Sequence, residues 1–232
     1  MTVLHDTTLQ PGTPGPSAPL RPWVLDDRGH VDLERTGTPD HFAVLGLPRR
    51  LGLDTDHLDV TFRSLVRGLH PDRFAVHGPA AVAQAQWHTS LVNDAYRTLR
   101  NFDRRVAYVL ELAGDLREER YQPPAELLVH VFELNEAIDA MQDARDEGDA
   151  EAAAQAERDV REATATIRES RAEVTARLVA AAADWDAAQA ASEQAGAELP
   201  ALAQARTALR AGLGHARYLD NLLTRLDFSA TQ

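Results

Sequence analysis

Three consecutive residues, His70, Pro71 and Asp72, place an imidazole and a carboxylate on either side of a rigid proline. Such a pair could move protons, contribute to a metal site or shape a turn. Two further histidines, His77 and His88, share no regular helical spacing with His70, and no cluster of carboxylates accompanies them. We therefore expect no metal site, and the residues alone leave a structural turn and a functional motif equally open.

Other catalytic chemistries find little support in the sequence. The chain has no cysteine, which excludes disulfides, cysteine-based zinc or iron-sulfur ligation and a cysteine nucleophile. Ser64 and Ser90 have neither a nucleophile elbow nor a glycine-rich oxyanion loop around them. We expect a protein that is not an enzyme and that carries no cofactor.

Charge is distributed unevenly along the chain. Residues 40–114 carry 9 arginines and 8 acidic side chains, whereas residues 115–232 carry 12 and 23, so the C-terminal half has a net charge of −11. A polyanion would be repelled by that half, which argues against a nucleic-acid partner. No apolar run approaches the ~18 residues of a membrane span, and no targeting segment is evident, so we expect no membrane partner and a cytoplasmic location.

The elements that position the His70 turn follow from the pattern around it. Before the turn, apolar residues recur every three or four positions, as on one face of a helix: Leu58, Phe62, Leu65, Val66 and Leu69. Arg63 and Arg67 lie one turn apart on a different, solvent-facing side. Pro71 removes a backbone donor and ends this helix.

Shorter signals delimit the neighbouring helices. Asp40 caps a short helix that Gly46 ends, and a helix from about Ala80 to Arg100 returns antiparallel to the one before the turn. We expect Asp103 to cap the next helix and Gly114 to end it. The N-terminal extension, residues 1–39, is predicted to be disordered apart from a possible small hairpin over residues 23–33.

The C-terminal half predicts a three-helix bundle. The first helix begins at the Pro123–Pro124 pair and ends at Gly148, and the second begins after a cap at Asp149. The third begins near Pro200. Gly212 and Gly214 within it indicate close packing or local give. Each helix carries an apolar seam with spacings of three and four: Leu127, Val131, Leu134, Ile138 and Met141 in the first, Val160, Ile167, Val174, Leu178, Ala181 and Trp185 in the second, and Leu202, Ala205, Leu209, Gly212, Ala216, Leu219, Leu223 and Leu226 in the third.

One strip of the first bundle helix exceeds what a single seam requires. Leu128, Val129 and Phe132 lie beside the core stripe, with Glu133 and Glu136 at their border. An apolar strip rimmed by carboxylates is a candidate protein-docking surface. Alternatively, these residues pack against the preceding domain or the second bundle helix.

The ensemble around His70–Pro71–Asp72 resembles the J-domain of DnaJ-type co-chaperones. Three segments, residues 41–48, 70–75 and 92–100 with 105–112, resemble the HscB branch, which serves iron-sulfur cluster assembly. The resemblance implies an all-α, L-shaped fold in which an N-terminal J-domain (40–114), joined by a linker (115–123), packs with a C-terminal three-helix bundle (124–232). The resemblance is strong up to Gly114, moderate from there to Arg145 and weak beyond Arg145, except around Tyr218.

The resemblance also implies partners and roles. His70, Pro71 and Asp72 would engage a DnaK/HscA-type chaperone and stimulate its ATPase, with docking charge supplied by Arg63, Arg67 and Arg73. An IscU-type scaffold would bind Leu128, Val129, Phe132, Glu133, Glu136 and Tyr218. One further acidic position of the family falls on Ala140, which weakens the acidic contribution. Two alternatives stay open: an adaptor for a different client, and a helical structural or regulatory protein in which the motif is only a turn.

Overall fold

The computed structural model describes residues 21–115, 122–123 and 125–229. The predicted disordered tail up to residue 20, most of the predicted linker, the proposed helix start at Pro124 and the side chain of Leu226 lie outside what it describes. Over the described residues the fold is all-α, as predicted. The β-type pairing described there is an isolated antiparallel bridge between Leu25 and Val31. The helices are α1 (His41–Leu45), α2 (Thr55–Gly68), α3 (Pro79–Arg100), α4 (Phe102–Leu112), α5 (Ala125–Glu147), α6 (Ala150–Ala195) and α7 (Pro200–Ser229), and a 3₁₀ segment spans Pro71–His77.

The chain divides into two compact units. The first contains the residues up to Pro48 together with Asp56–Arg97, and the second contains Arg49–Thr55 and the residues from Thr98 onward. The boundary between these two compact units falls between Arg97 and Thr98, near the end of α3. The functional boundary that we expect at Gly114 stays a prediction.

Local capping chemistry sets several helix ends where the sequence places them. The Asp40 carboxylate accepts a hydrogen bond from the Ala43 amide at 2.9 Å, and Gly46 ends α1 in the left-handed conformation with φ 65°. Asp149 caps α6 by accepting from the amides of Glu151 and Ala152. These side chains satisfy backbone donors that the first helical turn leaves unpaired.

The cap of α4 differs from the prediction. Asn101, not Asp103, caps this helix, because the Asn101 side chain accepts from the Arg104 amide at 2.9 Å. Asp103 lies in the first turn, where its carboxylate pairs with Arg171 of α6. Arg171 also donates from Nε to Asp220 of α7 at 2.8 Å, and these two carboxylates raise the pKa of Arg171 against the effect of burial. The carboxylate predicted as a cap is therefore part of an ion triad that joins three helices.

The second unit is built around α6, which packs against both α5 and α7, while α4 packs against α7. The predicted seams supply most of its core, which includes Leu134, Ile167, Leu178, Leu209 and Leu219. Toward the end of α7 the buried side is occupied by Leu222, whereas the predicted Leu223 is half-buried. The 46-residue α6 thus offers one continuous apolar face to two neighbours.

Within the second unit, a single carboxylate of α6 holds the segment that precedes α2. Both oxygens of Asp186, on α6, accept from backbone amides at 2.8 Å, one from Leu51 and the other from Gly52. The buried Arg105 of α4 donates to the Leu99 carbonyl, and burial lowers its pKa while Asp186 acts in the opposite direction. Hydrogen bonds to a charged acceptor are among the stronger ones in proteins.

We predict that Gly212→Ala destabilises the second unit. Alanine favours a helix by about 1 kcal/mol over glycine. However, a Cβ at this position would lie 2.7 Å from Cδ2 and 2.9 Å from Cγ of the buried Leu178. Overpacking of this kind costs about 1–3 kcal/mol, so the free energy of unfolding in urea should fall despite the better helix former.

The double variant Gly212→Ala with Leu178→Ala is the control. If the loss comes from this contact, the two substitutions should be less damaging together than the sum of their separate effects. A Gly212→Ala protein that is more stable than the parent would contradict the close approach.

Candidate functional site

The His70–Pro71–Asp72 turn follows directly from the end of α2. The Leu69 amide still donates to the Leu65 carbonyl at 2.8 Å, and Pro71 then begins the 3₁₀ segment, where it leaves no amide unpaired. His70 caps this segment: the Asp72 amide donates to His70 Nδ1 at 3.3 Å, and the Arg73 amide donates to the His70 carbonyl at 3.0 Å. The motif therefore does have the structural role of a turn.

Capping does not hide the polar groups of this turn. The side chain of His70 is 58% exposed and that of Asp72 is 90% exposed, with His70 Nδ1 lying 3.5 Å from a carboxylate oxygen of Asp72. A turn needed only for folding does not require two charged or chargeable groups to face solvent together. Their exposure makes them available to another molecule.

Three guanidinium groups lie on the elements that meet at this turn. Arg63 and Arg67 are exposed on α2, and Arg73 is exposed in the 3₁₀ segment. Arg63 Nε donates to the Asp59 carbonyl of its own helix at 3.1 Å, which leaves the rest of its fork toward solvent. The predicted solvent-facing side of α2 is confirmed for both of its arginines.

Contacts between α2 and α3 hold the turn in place. The rings of Phe62 and Tyr96 stack with centroids 3.9 Å apart, and the Tyr96 hydroxyl donates to Asp59 Oδ1 at 3.1 Å. Nearer the turn, Thr89 Oγ1 lies 3.5 Å from the Leu69 carbonyl. Because residue numbers rise on α2 as they fall on α3, the two helices are antiparallel, as predicted.

A second candidate surface lies on α5. Leu128, Val129 and Phe132 are 49%, 54% and 63% exposed. At about 100° per residue, these three and the exposed Glu133 and Glu136 fall within an arc of about 140°. We call these five residues the α5 patch.

The α5 patch lies opposite the core face of its own helix. Leu127, Leu134 and Met141 are buried, and by the same angular count their directions oppose the patch. Within the described part of the second unit, the exposure of the patch contradicts the alternative in which its apolar side chains pack against the second bundle helix. Large exposed apolar side chains grouped on one face are a feature of protein-binding surfaces.

The remaining positions that the resemblance implicates in scaffold binding differ in their surroundings. Glu133 accepts from, or pairs with, His130 Nδ1 at 3.2 Å. Tyr218 lies half-buried on α7, a different helix, two residues before the Asp220 that binds Arg171. Ala140 is exposed and contributes no charge. The structure thus groups five of the six predicted scaffold-binding residues on one helix face and places the sixth on another helix.

The sequence does not predict the role of His88. His88, considered there only as a metal ligand, is completely buried between the rings of Trp23 and Trp87. Within the described residues, no group of three His, Cys, Asp or Glu side chains gathers to hold a metal ion. His88 lies three residues after Ala85 and four residues before Val92, both on the predicted apolar face of the helix. This spacing is the local signal that His88 would be buried.

No protein-family model matches the chain. It is 38% identical over 113 residues to a co-chaperone protein HscB homolog of Chromobacterium violaceum, an alignment that covers 48% of this chain and 63% of the relative. It is also similar to the solved structure of the chaperone HscB from Vibrio cholerae, with a TM-score of 0.52, 23% identity and coverage of 84% of this chain and 99% of that one. The human co-chaperone protein HscB gives a TM-score of 0.58 with 23% identity, covering 94% of this chain and 95% of that one. The predicted resemblance to HscB is confirmed.

The two structural matches show that the chain has an HscB-like all-α fold over most of its length. The His70 turn lies in the first compact unit, and the α5 patch lies in the second. No helix in the described part of the chain is both long and apolar enough to cross a bilayer.

We predict that the α5 patch can be altered without unfolding the protein. Phe132→Ser should change the free energy of unfolding by no more than about 0.5 kcal/mol, as expected for an exposed position. Leu134→Ala, two residues along the same helix but buried, should cost about 2–5 kcal/mol. Urea denaturation of both variants measures the contrast, and equal losses would mean that Phe132 serves packing.

Proposed function

We propose that this protein is a J-domain co-chaperone of iron-sulfur cluster assembly. In this proposal it binds an IscU-type scaffold, delivers it to a DnaK/HscA-type chaperone and stimulates that chaperone's ATPase. The observation that carries the proposal is the exposed His70–Pro71–Asp72 turn, accompanied by exposed arginines and set in an HscB-like fold. The ATP site belongs to the chaperone, so this chain performs no catalysis of its own.

The charges around the turn suit an encounter with an acidic surface. Arg63, Arg67 and Arg73 would steer the J-domain toward the chaperone's nucleotide-binding domain, accelerating association at low salt. Since the Asp72 amide already holds the imidazole of His70 by a hydrogen bond, less of that side chain's freedom is lost on contact. Contacts made by His70 and Asp72 would then favour the chaperone state that hydrolyses ATP.

The α5 patch would hold the scaffold. Leu128, Val129 and Phe132 supply an apolar centre, and Glu133 and Glu136 supply a charged border, which is the arrangement of a protein interface with a dry core and a polar rim. Tyr218 on α7 would extend the contact. A molecule that binds client and chaperone together raises the effective concentration of one at the other.

We predict that His70→Gln abolishes stimulation of the chaperone ATPase and leaves scaffold binding unchanged. Loss of a central contact of an interface weakens it by about tenfold or more. Steady-state ATP hydrolysis, measured with the chaperone and scaffold of the same organism and with each component omitted in turn, gives the result.

His77→Gln is the matched control, because His77 is an exposed histidine of the same 3₁₀ segment outside the motif. It should stimulate as the parent does. Full stimulation by His70→Gln, or no stimulation by the parent at any concentration, would return His70–Pro71–Asp72 to the role of a turn.

We predict further that Phe132→Ala weakens scaffold binding by about thirtyfold, the effect of losing roughly 2 kcal/mol at an interface centre. Val179→Ala, an exposed apolar residue of α6 in the same unit, is the control and should bind normally. Titration calorimetry with the scaffold measures both. If the parent stimulates the ATPase but no patch variant affects scaffold binding, the adaptor carries a different client.

A further inference from the structure

Residues 21–35 form a segment that lies over α1 and α3 and near the end of α2 in the first unit; we call it the strap. The Trp23 amide donates to the Ala43 carbonyl of α1 at 2.9 Å, and the Val24 side chain is completely buried. The backbone at Pro22 lies so near Gly46 that a Cβ there would be 2.4 Å from the Pro22 nitrogen. The sequence predicts only a small hairpin in this segment, which two strands alone would stabilise poorly. The contacts with α1 and Gly46 supply the surface on which it docks.

The strap has its own internal order. Leu25 and Val31 pair in an antiparallel bridge, and the Asp32 amide donates to the Val24 carbonyl at 2.9 Å. At the turn, the Asp26 carboxylate accepts from the amides of Arg28 and His30. These hydrogen bonds all lie within the strap, so its turn does not need the helices beneath it for its own hydrogen bonding.

His88 of α3 is the residue on which the strap closes. Its side chain has no exposed surface, and its ring centroid lies 5.8 Å from that of Trp23 and 4.9 Å from that of Trp87. One ring nitrogen, Nε2, lies 3.3 Å from the Arg35 carbonyl of the strap. The other, Nδ1, is buried without a hydrogen-bond partner among the described residues.

A proton added to His88 would have to be accommodated in this enclosure. The strap acts on the imidazole through the Arg35 carbonyl and the Asp32 charge, and the Asp32 carboxylate is already engaged with the Arg35 guanidinium at 3.3 Å. On α3 itself, the neighbouring ring is the uncharged Trp87. A second N–H at Nδ1 would have no acceptor, and a buried cation without full hydrogen bonding is costly.

The electrostatics agree with this geometry. Burial lowers the pKa of His88 below its ordinary value of 6.5 and outweighs the opposing effects of the Arg35 carbonyl and the Asp32 charge. The neutral imidazole is therefore favoured when the strap is docked. The strap is therefore docked most stably at pH values above 6.5, the ordinary pKa of histidine. As the pH falls through and below that value, the equilibrium constant for docking decreases by at most about tenfold per pH unit for one proton.

We propose that the strap is a pH-sensitive cover of the first unit, released from the helices beneath it when His88 takes up a proton. Release would give the imidazolium access to water and would uncover the apolar surface beneath Trp23 and Val24. The helical pair α2 and α3 keeps its own contacts, including the Phe62–Tyr96 stack, so the opening is local.

Hydrogen–deuterium exchange of the full chain at several pH values between about 5.5 and 7.5 tests the proposal. After correction for the intrinsic pH dependence of exchange, protection of amides in residues 23–32 should fall as the pH falls, by up to about tenfold per unit. Protection within α2 and the middle of α3 should stay constant. Strap protection that does not vary with pH, or simultaneous loss in α2 and α3, would overturn the proposal.

Two variants keep the assignment to His88 testable. His88→Gln, which carries no titrating group, should lose the pH dependence of strap protection, whereas the exposed His77→Gln should retain it in full. If His88→Gln does not fold, Trp23→Ala serves instead. It should show a strap already unprotected at pH 7.5 with helices intact, and retained strap protection in that variant would contradict the closure on Trp23 and His88.

Discussion

Burial of one continuous face of α6 between α5 and α7 is the interaction on which the second unit depends. The face runs along a 46-residue helix and combines several alanines with larger side chains that include Trp185. Gly212 of α7 lets that helix approach Leu178 more closely than any other residue would. Because α5 commits Leu127, Leu134 and Met141 to this contact, its opposite side is turned outward. The outward position of the α5 patch is thus a geometric result of how the core is made.

Features set by near neighbours in the chain could be predicted from sequence. Asp40, Gly46, Gly148 and Asp149 act on backbone groups within a few residues of themselves, and the apolar seams follow the helical period. Asn101 and Asp103 show the limit of this reasoning, since both are competent caps two residues apart. Arg171, distant in sequence, binds Asp103 and so leaves Asn101 as the cap.

The candidate site divides along the same line. The His70 turn could be predicted because Pro71 acts on its own backbone, and the α5 patch because apolar residues exceed one seam. The hydrogen bonds from the amides of Leu51 and Gly52 to Asp186 could not be predicted. Every residue except proline has a backbone amide, so neither composition nor periodicity indicates which amide a distant side chain will bind. The enclosure of His88 likewise depends on Trp23, which lies 65 residues earlier in a segment with weak signals of its own.

Two apolar patches of equal kind on two copies of a protein attract each other, and the outward face of α5 would be expected to draw copies of this chain together. The surrounding charge opposes that. The chain carries a formal net charge of −12, most of it in the half that bears the α5 patch, so copies repel at moderate ionic strength before their apolar side chains can meet. The acidic composition therefore opposes self-association of the chain through the α5 patch.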